Sequence, residues 1–235
     1  MKHFTFLIFF FSAFLSAQSN AEFFDKADDF FRSYVENGKV NYAEIKQNRN
    51  ELQELLNLAK SFNPTPENED IYKAFWINAY NLAVIDGIVD RYPVKSPLDI
   101  KGFFDEEKHS LGQKSVTLDE IEHENLFGRF PSEERFHFVL VCAAKSCPPL
   151  YSRAYIPENL NEQLERQTKD ALNDPQFIKI ENDTILFSEI LKWYKEDFTQ
   201  NGKSLLQYVN QYRENKIPSG TKTGFYDYNW NLNAL

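Results

Sequence analysis

Apolar residues recur every three or four positions from Phe23 onward. Phe23, Phe24, Ala27, Phe30, Phe31 and Tyr34 follow this spacing with Asp25, Lys26, Asp28, Asp29 and Arg32 between them, which predicts an amphipathic helix. Asn37-Gly38 breaks it. Leu52, Leu55, Leu56 and Ala59 predict a second helix closed by Asn63-Pro64. Thr65-Pro66 then reads as a start signal, a cap followed by a first-turn proline, for a third helix over Ile71 to Val89. This third helix carries apolar residues around nearly its whole circumference, so it belongs in the middle of the fold. Asn78 and Asn81 interrupt the apolar run. A buried amide left without partners costs about 1–3 kcal/mol, so these two are expected to cap or tether neighbouring backbone.

Period-two patterns mark the strands. His109-Ser-Leu and Ser115-Val-Thr around Gly112-Gln113 read as a small hairpin, and Thr117 with Glu120 forms a capping box for a short helix through Leu118, Ile121 and Leu126 that carries His123. Phe136 to Cys142 is dense in β-branched and aromatic residues and reads as a strand. Pro157 starts a helix through Leu160, Leu164 and Ala171. Phe177-Ile-Lys-Ile and Thr184-Ile-Leu-Phe flank Asn182-Asp183 as a second hairpin. Ser188 is expected to cap a helix through Leu191, Trp193, Tyr194 and Phe198, and Leu205 to Tyr212 forms the last helix. The expected fold class is α+β: a single domain of several helices around a small, mostly antiparallel sheet, with one nearly all-apolar central helix.

The first residues follow another pattern. Lys2 and His3 precede an apolar run, Phe4 to Phe14, too short to span a bilayer and followed by small residues, the layout of a secretory signal peptide. Cleavage is expected after Ala21, with Ser19 at the other small-residue position, or after Ala17. Residues 22–235 then form the globular domain, periplasmic or secreted, with no stable membrane insertion once the leader is gone. The full chain has net charge −9, and losing Lys2 makes it one unit more acidic. A polyanion would be repelled, so nucleic acid is not an expected partner. Aromatic residues make up 16% of the chain, 22 of them Phe, which favours a packed core over disorder.

The only two cysteines, Cys142 and Cys147, lie just past the expected strand. Four intervening residues can close a loop, and in an exported protein a disulfide is the default, contributing about 2–3 kcal/mol for so short a loop. The spacing is not Cys-x-x-Cys, and a structural zinc site would need a second pair. Asp and Glu residues lack a calcium-loop spacing. No metal or other cofactor is expected. A sharper alternative makes Cys147, or Cys142, a nucleophile with His123 or His137 as base and Asn78 orienting the imidazole. In an unbroken strand His137 and Cys142 point to opposite faces about 16 Å apart, so His137 reads as a buried or edge histidine donating to a carbonyl.

Several ordered motifs carry a family resemblance. Asn37-Gly-Lys-Val-Asn-Tyr42, Phe75-Trp-Ile-Asn-Ala-Tyr-Asn81, Leu118-Asp-Glu-Ile-Glu-His123, His137-Phe-Val-Leu-Val-Cys-Ala-Ala-Lys-Ser-Cys-Pro-Pro149, Trp193-Tyr-Lys-Glu-Asp-Phe198 and the closing Tyr226-Asp-Tyr-Asn-Trp-Asn-Leu-Asn233 resemble, in this order, the domain-of-unknown-function 547 family, here in an exported bacterial form. The resemblance marks Trp76, Asn78, Asn81, His123, His137, Cys142, Ser146, Cys147 and Pro148 as characteristic positions and implies no activity. Two functions of different class stay open. One is a non-catalytic binding or structural module with a Cys142-Cys147 disulfide loop, whose aromatics near Tyr226, Tyr228 and Trp230 bind a glycan, a peptide or an envelope protein. The other is a Cys/His-dependent hydrolase or acyl transferase acting on an envelope or extracellular amide or ester.

Overall fold

Phe23, Ala27, Phe30, Phe31 and Tyr34 are buried along one side of helix α1 (20–34), as their spacing requires. The computed structural model describes residues 20–235, so all but the last two residues of the expected leader lie outside the described residues. After α1 the chain turns at Asn37 and Gly38, both in the left-handed region (φ 50° and 77°), between the short strands β1 (Val35–Glu36) and β2 (Lys39–Val40). A Cβ on Gly38 would stand 2.6 Å from that of Pro149. Only glycine meets both demands. Helices α2 (Tyr42–Gln47) and α3 (Arg49–Ser61) follow; α2 is too short for its periodicity to be seen in the sequence.

Helix α4 (Glu69–Arg91) is the centre of the fold. Its cap is Asn68, whose side chain accepts from the Ile71 N–H; Thr65 and Pro66 lie in the preceding segment rather than at the start expected for them. Phe75, Trp76, Ile77, Leu82 and Ile88 are fully buried, and the helix packs on α2 and α3. Although α4 is long and apolar, no helix among the described residues is long and apolar enough to cross a membrane.

The two asparagines of α4 hold backbone from distant parts of the chain. Asn78 donates to the Tyr155 carbonyl (2.7 Å) and accepts from the Tyr155 N–H (3.0 Å), the double exchange of a paired antiparallel residue; it also donates to the Ala74 carbonyl. Asn81 donates to the Val139 carbonyl (2.9 Å) and accepts from the Val141 N–H (3.0 Å), as one residue of a parallel strand would. Here the expected strand Phe136 to Cys142 fails. Glu134–Phe138 is a 3-10 helix, and residues 140–142 run without secondary structure because a side chain takes the backbone groups a neighbouring strand would have used.

Among the described residues the sheets are three small ones rather than one. They are β1-β2, the expected hairpin β3 (His109–Leu111) with β4 (Lys114–Val116), and a three-stranded sheet. In the last, β5 (Ile178–Glu181) and β6 (Thr184–Phe187) form the expected hairpin around Asn182, and β7 (Lys222–Phe225) adds in parallel. The capping box at Thr117 is present and opens α5 (Leu118–Glu120). The chain also forms α6 (Leu160–Asn173), two short helices α7 (Ile190–Trp193) and α8 (Lys195–Phe198) where one was expected after Ser188, and α9 (Leu205–Tyr212). The fold is α+β.

The core has two parts. The larger surrounds α4 and includes Phe136; the smaller gathers Phe138, Phe177, Leu191, Phe198 and Val209. Phe136 and Phe138 thus anchor the 3-10 helix in both, and His137 lies between them.

Trp76 has no solvent exposure, and Trp76→Ala is expected to cost about 3–5 kcal/mol in urea unfolding; an unchanged midpoint would contradict its placement. Asn81→Ala leaves the Val139 carbonyl and the Val141 N–H without partners in a buried site. A loss of about 2–4 kcal/mol is expected, and a loss below about 0.5 kcal/mol would mean that the clamp carries no load.

Candidate functional site

A cleft of about 220 Å³ opens where the two cores meet. Its residues come from remote stretches: Tyr80 from α4, Asp119, Glu122 and His123 from the 118–127 helix, His137 and Leu140 beyond it, both cysteines, then Trp193, Tyr194, Tyr228 and Trp230. Of the residues singled out in the sequence, His123, His137, Cys142 and Cys147 therefore converge. Asn78 does not line the cleft, since its amide is spent on Tyr155 and Ala74.

The acidic side stands on an unusual helix. After α5 the winding widens into a π-helix over Ile121–Phe127, closed by the Gly128 N–H donating to the His123 carbonyl (2.9 Å). A Cβ on Gly128 would come within 2.7 Å of that oxygen. The wider turn places Ile121 and Leu126, five residues apart, together in the core. π-helical turns are rare and recur at functional sites. Glu122, half-buried, receives the Tyr194 hydroxyl at 3.3 Å. Burial pushes its carboxyl above the ordinary range, against the lowering pull of His123, His137 and the Tyr194 hydrogen bond. His123, with 51% of its side chain exposed, lies at the rim beside Asp119 at 3.4 Å.

His137 is buried, as expected for a core histidine, but its partner is a carboxylate and not a carbonyl. Its Nε2 lies 2.8 Å from Asp197 Oδ2. The ring stacks between Phe127 (4.3 Å) and Tyr194 (4.0 Å), each at 28°. One imidazole is thus fixed in orientation by two rings and an acid.

Cys142 and Cys147 are joined as a disulfide. Between them the backbone turns at Ala143, whose φ of 63° is left-handed without a glycine, a conformation that persists only where neighbours enforce it. The C-terminal segment supplies the enforcement. Asn233 N–H donates to the Ala143 carbonyl, Lys145 N–H to Asn231, and Ser146 N–H to Asn229, whose own N–H donates to Ser146 Oγ (2.9 Å). This pairing carries Tyr228 over the disulfide, its hydroxyl 3.1 Å from Cys147 Sγ and 3.3 Å from Cys142 Sγ. Burial raises the Tyr80, Tyr194 and Tyr228 phenols, which keep their protons at neutral pH.

An aromatic wall lines the same cleft. Trp193 and Trp230 are near-parallel (21°, 6.2 Å), with Tyr228 4.9 Å from one and 4.8 Å from the other. Trp193 is 46% exposed. In the sequence Trp193 is one of several residues of the helix expected after Ser188, and Glu122 is one acid among others on a short helix. Only the π winding and the break between α7 and α8 bring them to the cleft.

Glu122 gives a pH-dependent outcome. A carboxyl with a folded pKa above its unfolded value binds more protons in the native state through that window, so stability falls as pH rises through it. Glu122→Gln is expected to be more stable than the native chain at about pH 8, the difference vanishing near pH 4, below the ordinary Glu pKa of about 4.3. Its charged neighbours, Asp119, His123 and His137, are common to both proteins. A pH-independent difference, or a less stable Gln variant at high pH, would contradict the burial of this acid.

Comparison with curated proteins and with solved structures gave no match. Residues 65–172 match a family model, and that stretch holds α4, the acidic side, His137 and the disulfide, while the aromatic wall lies beyond it. Over this stretch the chain is similar to the family described as "Protein of unknown function, DUF547".

Proposed function

We propose that the chain is an exported, non-catalytic binding module whose cleft receives a compact group between the aromatic wall and the acidic helix. The observation that carries this reading is the solvent-facing Trp193, stacked with Trp230 and Tyr228 at the mouth of a cleft whose two sulfurs are bonded to each other. Exposed aromatic surface next to convergent polar groups is what ligand sites use. The volume is below the roughly 300–1,000 Å³ usual for drug-sized ligands, so a single small group fits better than an extended chain. Export is supported by the leader-like first residues and by a disulfide suited to oxidising compartments.

A second reading, a Cys/His-dependent hydrolase or acyl transferase on envelope or extracellular amides or esters, is favoured by one fact: both imidazoles and both sulfurs line the same cleft. It requires the disulfide to open, and Asn78 is committed elsewhere. Thiol titration of the purified protein separates the two. Two sulfurs that react only after reduction are the expected outcome. One fast-alkylating thiol, abolished by Cys147→Ala and slowed by His123→Ala, would overturn the module in favour of the enzyme.

A further inference from the structure

The cleft combines three features that select for charge. None of its lining residues is Lys or Arg. Two carboxylates, Asp119 and Glu122, face it. Among the described residues no Lys or Arg lies in ion-pair contact with Glu122, whose one side-chain hydrogen bond comes from the Tyr194 hydroxyl. A half-buried carboxylate whose one direct side-chain partner is a phenol, with His123 and His137 acting on it without an ion-pair contact, is an incomplete arrangement, since buried charges are otherwise paired. The same cleft is lined by Trp193, Tyr228 and Trp230, aromatic rings whose faces attract cations, Trp most strongly. An anion would meet two carboxylates, and the cleft's two imidazoles already lie beside acids of their own, His123 beside Asp119 and His137 beside Asp197. A neutral polyol could stack on the wall but would leave the Glu122 charge unmet.

We propose that the cleft binds an organic ammonium group, its alkyl face against Trp193, Tyr228 and Trp230 and its charge toward Glu122 and Asp119. This rests on the binding-module reading and names its ligand class. The volume suits one trimethylammonium-sized head. Bulk beyond that head would remain outside, past His123 and Trp193 at the rim.

The test is a titration of the oxidised full-length protein, followed by calorimetry and tryptophan fluorescence, with choline, its uncharged carbon isostere 3,3-dimethylbutan-1-ol, and N-acetylglucosamine as probes. Choline is expected to saturate the site and quench tryptophan emission, with the isostere weaker by about tenfold or more. Glu122→Gln should weaken choline by a similar factor and leave the isostere unchanged. Trp193→Ala should weaken both. Asp119→Asn, at an exposed position, should weaken choline by about twofold to threefold, as a rim charge does, and guards against a Glu122 variant that folds poorly. Equal binding of choline and its isostere, or full choline affinity in Glu122→Gln, would overturn the proposal. Binding of the sugar without choline would overturn it too, while leaving the module standing. No saturation by millimolar choline would also overturn it.

Discussion

The structure depends on two carboxamides on an otherwise apolar helix. Asn78 and Asn81 have 0% and 1% exposure, where an unsatisfied amide would cost about 1–3 kcal/mol. Their side chains avoid that cost by serving as strand neighbours for backbone that has none. Geometry follows from this. The stretch from the 3-10 helix to Cys142 is held against α4 without joining a sheet, with His137 lining the cleft at one end and Cys142 at the other. A hydrophobic residue at position 81 would fill the space and leave two backbone groups unpaired.

The second constraint is the return of the C-terminal segment. It runs beside the disulfide loop, pairs with residues 143–146, and also reaches back to β2, where Val40 N–H donates to Asn233 and the Tyr42 hydroxyl donates to Asn233 Oδ1. The left-handed turn at Ala143 and the tight approach of Gly38 to Pro149 make sense as the fit between these strands. The same return delivers Tyr228 and Trp230 to the cleft, so its aromatic half depends on the last residues of the chain. The match over 65–172 therefore covers a scaffold and an acidic face, and the wall that completes the cleft is supplied from outside it.

Much of this was legible in the sequence because the signals were local. The apolar circumference of α4, the Thr117 capping box, the two hairpin turns and the tethering role of the asparagines all follow from residue type and spacing. The strand expected over Phe136 to Cys142 does not form for a physical reason: β-branched and aromatic density reports burial, and burial of Phe136 and Phe138 in the two cores with the following backbone clamped by Asn81 satisfies it as well as pairing in a sheet does. Strand β7, Lys-Thr-Gly-Phe, carries no apolar alternation and owes its place to β6. The π-helix was hidden, since a change from four to five residues per hydrogen bond alters no composition. With it went Glu122, an acid indistinguishable in sequence from the solvated ones around it. His123, His137 and the cysteines were found because their residue types are scarce in this chain.

Hydrogen exchange at the Val141 amide tests the clamp most directly, because in the native fold its acceptor is the Asn81 side chain. That amide should exchange as slowly as the backbone of α4, near the rate of global unfolding. Exchange of Val141 in native conditions as fast as that of an exposed loop would mean that Asn81 does not hold this segment, and the placement of His137 and Cys142 around the cleft would lose its physical basis.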